Sequence, residues 1–178
     1  LSFTSNRDHA FSFLYQIRSD GSSKPERNFP GDTAQVDEAV WSRDGRWLVY
    51  RTGVSSGFRD IYARQLSGDT TRITVAAGPF DEYMPALSPD GRWIAYVSLE
   101  SGREEVYVRP FPGTDRARWQ LSTAGGTAPA WSHSGRELFD APFDRFPGEA
   151  DFLQPPPRVV VARLAAGRLP EKHEVLDR

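Results

Sequence analysis

Trp41–Tyr50 reads WSRDGRWLVY, and closely related stretches follow later in the chain. Leu87–Tyr96 reads LSPDGRWIAY and Trp131–Asp140 reads WSHSGRELFD, which corresponds to a period of about 45 residues. A second marker recurs with the same period, namely the tyrosine of FLYQIR, DIYARQL and EVYVRPF at Tyr15, Tyr62 and Tyr107. Because two separate markers share one period, the sequence indicates a repeat protein.

The residue pattern within each repeat distinguishes strands from helices. The patterned runs are short, rich in β-branched and aromatic residues, and bounded by Gly, Pro, Asp and Ser, which is typical of strands. Trp93–Val97 is apolar at every position, so it predicts a strand covered on both faces, as in stacked sheets. Repeats of about 45 residues with this pattern are typical of propeller blades. We therefore predict an all-β chain, a β-propeller fragment of about four four-stranded blades.

The turn within each repeat explains why its residues recur. In Ser88–Gly91, proline pre-sets φ, aspartate bonds to nearby backbone amides, and glycine accepts the left-handed conformation. An active site would be unique to one blade, whereas a folding role requires the same residue in each. We therefore expect structural roles at the repeat positions Trp41, Asp44, Gly45, Trp47, Tyr62, Asp90, Gly91, Trp93, Tyr107, Trp131 and Gly135.

The blades are expected at about residues 1–33, 34–78, 79–123 and 124–178 of a single propeller segment: one partial, two complete and one loop-expanded. Leu1–Ser5 has the pattern of a second strand, so we expect its first strand, and further blades of a ring of about six or seven, before Leu1. Asp140–Pro157 contains five prolines and predicts a loop. Arg158–Leu164 predicts the next strand, with Glu174–Leu176 as its partner.

Composition excludes several classes of partner and cofactor. The formal net charge is −2 and the 22 basic residues are scattered, which argues against a nucleic-acid partner. The absence of cysteine excludes disulfides, thiolate metal sites and cysteine nucleophiles. No apolar run approaches the roughly 18 residues of a membrane span, so we expect no membrane contact by this segment.

The histidines and serines do not form a recognisable catalytic motif. His9, His133 and His173 lie far apart and lack metal-ligand spacing. Ser132 lies beside His133, but Ala130 stands where a nucleophile elbow needs glycine. We therefore predict a structural turn role for His133 and no catalytic residue in this chain.

Two further groups have a simpler structural interpretation. Asp140, Asp144, Glu149 and Asp151 lack the spacing of a calcium loop, so we expect solvated loop charges rather than a metal site. Gly125–Gly126 is followed by a strand rather than the helix that a phosphate-cradling loop requires, which predicts a connection between blades. No cofactor is expected.

Family resemblances complement the repeat pattern. Ser88–Gly91, followed by an aromatic-rich strand, resembles the TolB-type, WD-like propeller repeat of bacteria; Ser42–Gly45 lacks the proline, and Ser132–Gly135 lacks both proline and aspartate. Val106–Phe139 resembles the closing blades of propellers that follow the membrane span in bacterial eukaryotic-like serine/threonine kinases. The second resemblance implies an extracytoplasmic propeller at the C-terminal end of a membrane-anchored kinase. The kinase motifs H-R-D, D-F-G and V-A-I-K are absent from this sequence.

These observations predict a non-catalytic binding, sensor or scaffold propeller, with a protein or small-molecule ligand at its rim or central channel. The expected location is periplasmic or otherwise extracytoplasmic. Two alternatives stay open: a periplasmic TolB-like protein-interaction propeller, and the gating propeller of a serine peptidase of the prolyl oligopeptidase type. Fold alone does not decide among them.

Overall fold

The computed structural model describes residues 1–7, 12–28, 35–53, 59–141 and 159–163. This part of the chain consists of antiparallel strands and the turns between them. The strands are β1 (Ser2–Ser5), β2 (Phe13–Gln16), β3 (Glu26–Arg27), β4 (Asp37–Trp41), β5 (Trp47–Thr52), β6 (Asp60–Gln65), β7 (Arg72–Ala76), β8 (Glu82–Leu87), β9 (Trp93–Ser98), β10 (Glu105–Pro110), β11 (Trp119–Gln120), β12 (Thr127–Trp131), β13 (Glu137–Ala141) and β14 (Val159–Arg163).

The strands form four sheets in which sequence neighbours pair antiparallel. We call them the first blade (β1–β3), second blade (β4–β7), third blade (β8–β11) and fourth blade (β12–β14). The two central blades have four strands and the two outer ones have three within the described ranges. The all-β class and the propeller architecture are thereby confirmed. No helix in this part of the chain is both long and apolar enough to cross a membrane.

The first blade lacks a counterpart of β4 and β8 among the described residues. Tyr15 of β2 lies opposite Phe3, just as Tyr62 of β6 lies opposite Tyr50. By this register β1 corresponds to β5, the second strand of a complete blade. The prediction that Leu1–Ser5 is a second strand agrees with the observed pairing.

The turn between first and second strands is closed by side chains. In the second blade the Ser42 hydroxyl donates to Asp44 Oδ1 (2.6 Å) and accepts the Trp47 amide (2.8 Å). Asp44 Oδ1 also accepts the Arg46 amide at 3.1 Å, which is the backbone bond expected of a turn aspartate. The local sequence therefore satisfies the polar groups of its own turn, which fixes where β4 ends and β5 begins.

The same turn recurs in the next two blades. In the third blade the Ser88 hydroxyl donates to Asp90 at 2.6 Å, and in the fourth Ser134 takes the place of the aspartate, 3.2 Å from the Ser132 hydroxyl. The turn glycine has a positive φ in each copy, a conformation that a side chain would strain. The values are 70° at Gly45, 68° at Gly91 and 69° at Gly135.

The core lies in the seams between blades. Alternate residues of one strand face opposite neighbours: Val49 of β5 packs toward the third blade, whereas Leu48 and Tyr50 pack toward the first. The seam between the third and fourth blades contains Ala95 and Leu138. Fully burying such a side chain is worth about 1.5–3 kcal/mol, so the stacked seams are the main source of stability.

A β-bulge recurs in the first strand of each of the last three blades. The register shifts there, and one non-glycine residue has a positive φ: Glu38 (49°), Met84 (52°) and Ala128 (47°). The first strands also contact one another, since the Met84 amide donates to Glu38 Oε2 at 2.7 Å. Because the bulge is present in three blades, it belongs to the fold and brings the beginnings of the first strands together.

Candidate functional site

The blades present two rims of different character. We call the end that carries the Ser-x-Asp-Gly turns the turn rim, where first strands end and second strands begin. The opposite end, the variable rim, is where first and third strands begin and second strands end. Its described residues include Asp37, Thr52, Asp60, Glu82, Ser98, Glu105 and Thr127.

The predicted repeat positions lie on the turn rim or along the strands. Trp47 packs edge-on against Phe111 (5.2 Å between ring centroids), and Trp93 against Trp119 (5.8 Å). Tyr62 and Tyr107 lie beside Tyr50 and Tyr96 and are covered by the guanidinium groups of Arg72 and Arg118. The remaining positions are the turn residues Asp44, Gly45, Asp90, Gly91 and Gly135 and the strand-end residues Trp41 and Trp131.

The turn aspartates are held in the charged form. The Ser42 hydroxyl and the Arg46 side chain lower the pKa of Asp44 to about 2. Partial burial raises the pKa of Asp90, but hydrogen bonds from the Ser88 hydroxyl and the Arg92 amide outweigh it and lower that pKa overall. The oxygens of these carboxylates already accept hydrogen bonds from residues of their own turns, so they are not candidates for ligand binding.

The variable rim departs from the repeat. The position five residues before Trp41, Leu87 and Trp131 is occupied by Val36, Glu82 and Gly126, respectively. A buried apolar side chain, a buried carboxyl group and a glycine thus occupy equivalent places. The sequence analysis did not single out Val36 or Glu82, and it interpreted Gly126 only as part of a connection, because it relied on residues that recur. The signal that identifies these residues is variation: they differ from repeat to repeat at positions that the alignment of the repeats makes equivalent.

An ion pair joins the second and third blades at this rim. Arg59 Nη2 lies 2.7 Å from Asp81 Oδ2, and the Arg59 amide donates to the same carboxylate at 3.2 Å. The guanidinium also lies over the Tyr83 ring, 3.9 Å from its centroid. Burial and a hydrogen bond to Glu104 raise the pKa of Tyr83, so this phenol stays neutral and acts as a donor. A buried pair of this kind fixes geometry more than it adds stability.

A second set of polar contacts joins the second and third blades, closer to their first strands β4 and β8. Arg51 Nε lies 3.2 Å from Glu38 Oε1 and its Nη2 lies 3.6 Å from Asp37. Glu38 Oε2 accepts the Met84 amide of the third blade. Because the Glu38 side chain is one-third exposed, it is accessible to a ligand while remaining held in place.

Glu82 is the least compensated acid of the variable rim. It is 6% exposed, and among the described residues the only hydrogen bond to its carboxyl group comes from the Ser98 hydroxyl to Oε1 at 3.4 Å. The structure records no ion pair for Glu82 or for its neighbour Asp60 within these residues. Burial, together with the charges of Asp60 and Asp81, raises the pKa of Glu82 to about 7. The group can therefore exchange a proton near neutral pH.

Glu105 is the better satisfied carboxylate of the next seam. It is fully buried, accepts the Gly125 amide at 2.9 Å and the Ser122 hydroxyl, and pairs with Arg103 at 2.9 Å. The Ser122 hydroxyl in turn accepts the Val106 amide. This network ties the connection between the third and fourth blades to β10.

Asp140 corrects one of our predictions. We expected a solvated loop charge, but the residue lies in β13 and is fully buried. It occupies the position of Tyr50 and Tyr96 in the preceding blades. Gly126 makes room for it, because a Cβ atom at Gly126 would overlap Asp140 Oδ2. In the fourth blade Asp140 therefore replaces the larger tyrosine, and Gly126 replaces the larger residues Val36 and Glu82 of the preceding blades.

The other candidate ligands do not converge. His133 lies in the turn of the fourth blade, on the turn rim. No group of three or more His, Cys, Asp or Glu in the described ranges is placed to hold a metal ion. The remaining candidates, His9, His173, Asp144, Glu149 and Asp151, lie outside the described residues.

Comparison with known sequences identifies distant relatives. No family model matches the chain. It is 33% identical over 105 residues to an uncharacterised protein of Agrobacterium fabrum, an alignment that covers 58% of this chain and 35% of that protein. It is 38% identical over 72 residues to the Tol-Pal system protein TolB of Alcanivorax borkumensis, covering 39% and 17%. The chain thus spans about a third or less of the curated relatives it matches.

Solved structures show the same fold. The putative TolB of Agrobacterium tumefaciens superposes with a TM-score of 0.65 and 22% identity, over 82% of this chain and 52% of that one. A puromycin-hydrolysing peptidase of Mycobacterium tuberculosis gives 0.59 and 17%, over 73% and 23%. The chain therefore has a TolB-like β-propeller fold, which is also present in larger peptidases.

Proposed function

We propose that this chain is a non-catalytic binding propeller of a bacterial extracytoplasmic protein and that its ligand contacts the variable rim. The observation that carries the proposal is a difference between the two rims: residues of the turn rim recur from blade to blade, whereas residues of the variable rim do not. The turn rim repeats a side-chain-closed Ser-x-x-Gly turn in the second, third and fourth blades, as folding requires. At the bulge of the first strand the variable rim changes from Glu38 to Met84 to Ala128, none of them fully buried, as recognition of an asymmetric ligand requires.

The ligand is a protein or a small molecule held by side chains of the first-strand beginnings. Glu38 offers a partly exposed carboxylate whose geometry is fixed by Arg51 and the Met84 amide. The fold supports an extracytoplasmic location through its similarity to a Tol-Pal system protein. Neither a cofactor nor a metal ion is part of the proposal.

Within this function we propose that the propeller is the C-terminal sensor or scaffold of a membrane-anchored serine/threonine kinase. The resemblance of Val106–Phe139 to the closing blades of such proteins supports this parentage. The test is the remainder of the reading frame. Kinase motifs followed by a span of about 20 apolar residues, all before Leu1, support it. A reading frame that contains only further blades contradicts it.

Two other parent proteins have observations in their favour. The 38% identity to TolB and the TM-score of 0.65 favour a periplasmic TolB-like protein, whose reading frame would contain a signal peptide and blades alone. The TM-score of 0.59 with a peptidase favours a gating propeller, which predicts a G-x-S-x-G elbow beyond Arg178. One determination of the complete reading frame distinguishes all three.

Site-specific photo-crosslinking tests the binding rim itself. A photoreactive residue at Glu38 or Asp60 samples the variable rim, and one at Arg43 or Arg92 samples the turn rim as a matched control. We expect one discrete adduct in cells from the variable-rim positions only. Adducts from the turn rim alone contradict the assignment. Peptide hydrolysis or phosphotransfer by the purified chain, abolished by a substitution within it, contradicts the non-catalytic part.

A further inference from the structure

Two acidic side chains lie together on the variable rim, where the second and third blades meet. Asp60 begins β6 and Glu82 begins β8, and the Glu82 amide donates to the carbonyl of Arg59, the residue directly before Asp60, at 2.8 Å. After burial, the charge of Asp60 is the strongest influence that raises the pKa of Glu82. We call Asp60 and Glu82 the acid pair.

The oxygens of the acid pair have hydrogen-bonding capacity that their neighbours leave unused. Glu82 is buried, yet its Oε2 has no hydrogen-bond partner in the part of the chain that the structure describes. The bonds that the pair accepts are long: 3.4 Å from the Ser98 hydroxyl to Glu82 Oε1, 3.4 Å from the Gly78 amide to Asp60 Oδ1, and 3.2 Å from the Tyr62 hydroxyl to Asp60 Oδ2. A buried carboxyl oxygen without a donor costs free energy, so a donor supplied by a ligand would bind favourably here.

The cations that surround the acid pair are engaged with other groups. Arg59 pairs with Asp81 at 2.7 Å, and Arg118 donates two hydrogen bonds to Glu100. Arg72 lies over a tyrosine ring, 4.1 Å from its centroid. Within the described ranges no ion pair is recorded for either member of the acid pair. The charge of the pair is therefore uncompensated by these arginines, and its chemistry favours a cation from outside.

An exposed aromatic residue adjoins the acid pair in the connection between β7 and β8. The Gly78 amide bonds to Asp60 and the Asp81 carboxylate bonds to Arg59, so both ends of the short segment that contains Phe80 are held at the acid pair. Phe80 is 40% exposed, and apart from the terminal leucine no other large apolar side chain of the described residues is as exposed. An aromatic ring beside uncompensated carboxyl groups suits a side chain with an apolar stem and a cationic end.

We propose that the acid pair and Phe80 bind the guanidinium group of an arginine side chain presented by a protein partner. The proposal rests on the binding function proposed above for the variable rim, and it specifies the chemistry of the ligand. A guanidinium donates several N–H groups in a planar fork and is more weakly hydrated than an ammonium, so it suits two carboxyl groups in a largely buried place. Arginine and aromatic residues are also enriched in protein interfaces, which favours a protein as its source. A metal ion suits the place less, because no three candidate ligands among the described residues converge on it.

Ionisation of Glu82 couples this binding to pH. Besides the arginines named above, the titratable groups that face Glu82 are Asp60 and Tyr62 of β6, Asp81, Tyr96 of β9 and Glu100. Burial and then Asp60 raise the pKa of Glu82 to about 7, so at pH 6 a guanidinium must displace the proton, which passes to the buffer. At pH 7.5 most of the carboxyl groups are already ionised. The affinity is therefore expected to rise about eightfold from pH 6 to pH 7.5.

The test measures the binding of short peptides to the purified 178-residue chain. The peptide acetyl-Gly-Arg-Gly-amide is compared with forms that have citrulline, a neutral group of the same shape, or lysine in place of arginine. Shifts of the Gly78 and Ser98 amide signals in the NMR spectrum report binding. We expect the arginine peptide to bind at least about tenfold tighter than the citrulline peptide, because only the former pairs with the acid pair. Equal affinities for these two peptides overturn the proposal.

Two further compounds test the kind of cation and its source. We expect the lysine peptide to bind more weakly than the arginine peptide, and equal affinities overturn the assignment to a guanidinium. Butylguanidinium carries the same charged group without a peptide. We expect it to bind more weakly as well, and an affinity equal to that of the arginine peptide overturns the assignment to a protein partner.

Variants locate the site on the chain. Glu82→Gln is expected to fold, because it replaces a buried carboxyl group by a neutral group of similar shape, and to weaken the arginine peptide at least about tenfold at pH 7.5 while removing the pH dependence. Phe80→Ala should weaken binding but keep the pH dependence. Asp69→Asn is the matched control, because it removes a carboxylate from the turn between β6 and β7, at the turn rim, and should bind as the wild type does. Wild-type affinity of a folded Glu82→Gln chain overturns the proposal.

Photo-crosslinking in cells separates this proposal from the function on which it rests. We expect Glu82→Gln to reduce the discrete adduct formed from a photoreactive residue at Glu38. An adduct that persists undiminished in Glu82→Gln overturns the arginine site and leaves the binding function of the variable rim standing. Adducts from the turn rim alone contradict the function itself, whatever the peptides show.

Discussion

The pH dependence of stability provides a direct test of the seam between the second and third blades. Glu82 is buried, and its pKa is raised from its usual value of 4.5 to about 7, first by burial and then by Asp60. Between these values the folded chain retains a proton that the unfolded chain has released. The unfolded state binds fewer protons, so the free energy of unfolding falls as the pH rises from about 4.5 to 7.

The size of the effect follows from the same values. A pKa difference between 4.5 and about 7 corresponds to about 3 kcal/mol, lost progressively with rising pH and fully lost above pH 7. Glu82→Gln replaces the carboxyl group by a neutral group of similar shape. We expect the variant to be more stable than the wild type by about 1 kcal/mol at pH 5, where the unfolded carboxyl group has already lost most of its proton, and by up to about 3 kcal/mol at pH 8.

Urea denaturation of both proteins at pH 5, 6, 7 and 8 measures this difference directly. The control is Asp69→Asn, because the pKa of Asp69 is lowered by Thr71 and its charge does not change over this range. Asp60→Asn provides a second check, since removing its charge lowers the pKa of Glu82 and weakens the pH dependence. Parallel stability profiles for the wild type and Glu82→Gln would refute the reasoning.

Two further predictions concern packing and turns. Gly126→Ala should lower the free energy of unfolding by about 1–3 kcal/mol through overlap with Asp140, whereas Gly78→Ala, which meets open space, should change it little; thermal unfolding compares them. Ser88→Ala removes a buried hydroxyl that holds the turn and should cost about 1–2 kcal/mol in urea, against little for the exposed Ser101→Ala.

In the function that we propose, the recurring turn residues serve folding and the variable rim serves recognition. Residues that recur, such as Ser42 and Ser88, are saturated by bonds inside their own turns. Residues that do not recur, such as Glu82 and Asp140, are buried where two blades meet. A substitution at a recurring position is therefore expected to affect stability, whereas one at a partly exposed variable position, such as Glu38, is expected to affect binding.

The sequence by itself determined the all-β class, the period and the chemistry of the turns. These features rest on local physics: short runs of β-branched and aromatic residues, the φ preferences of proline and glycine, and hydrogen bonds that span about five residues or fewer, as between Ser88 and Trp93. A period of about 45 residues with short strands leaves few architectures available. The family resemblance adds to this prediction but is not needed for the fold.

Only the tertiary structure decided which side chains meet across the seams. Asp60 and Glu82 belong to different blades, and their proximity depends on how two sheets stack, which no local pattern specifies. The burial of Asp140 was mispredicted for the same reason, because a proline-rich sequence follows it and its neighbour Gly126 directly precedes another strand, β12. The repeat pattern predicted the stack of blades, and the contacts between blades then set the charge, burial and proton affinity of the rim.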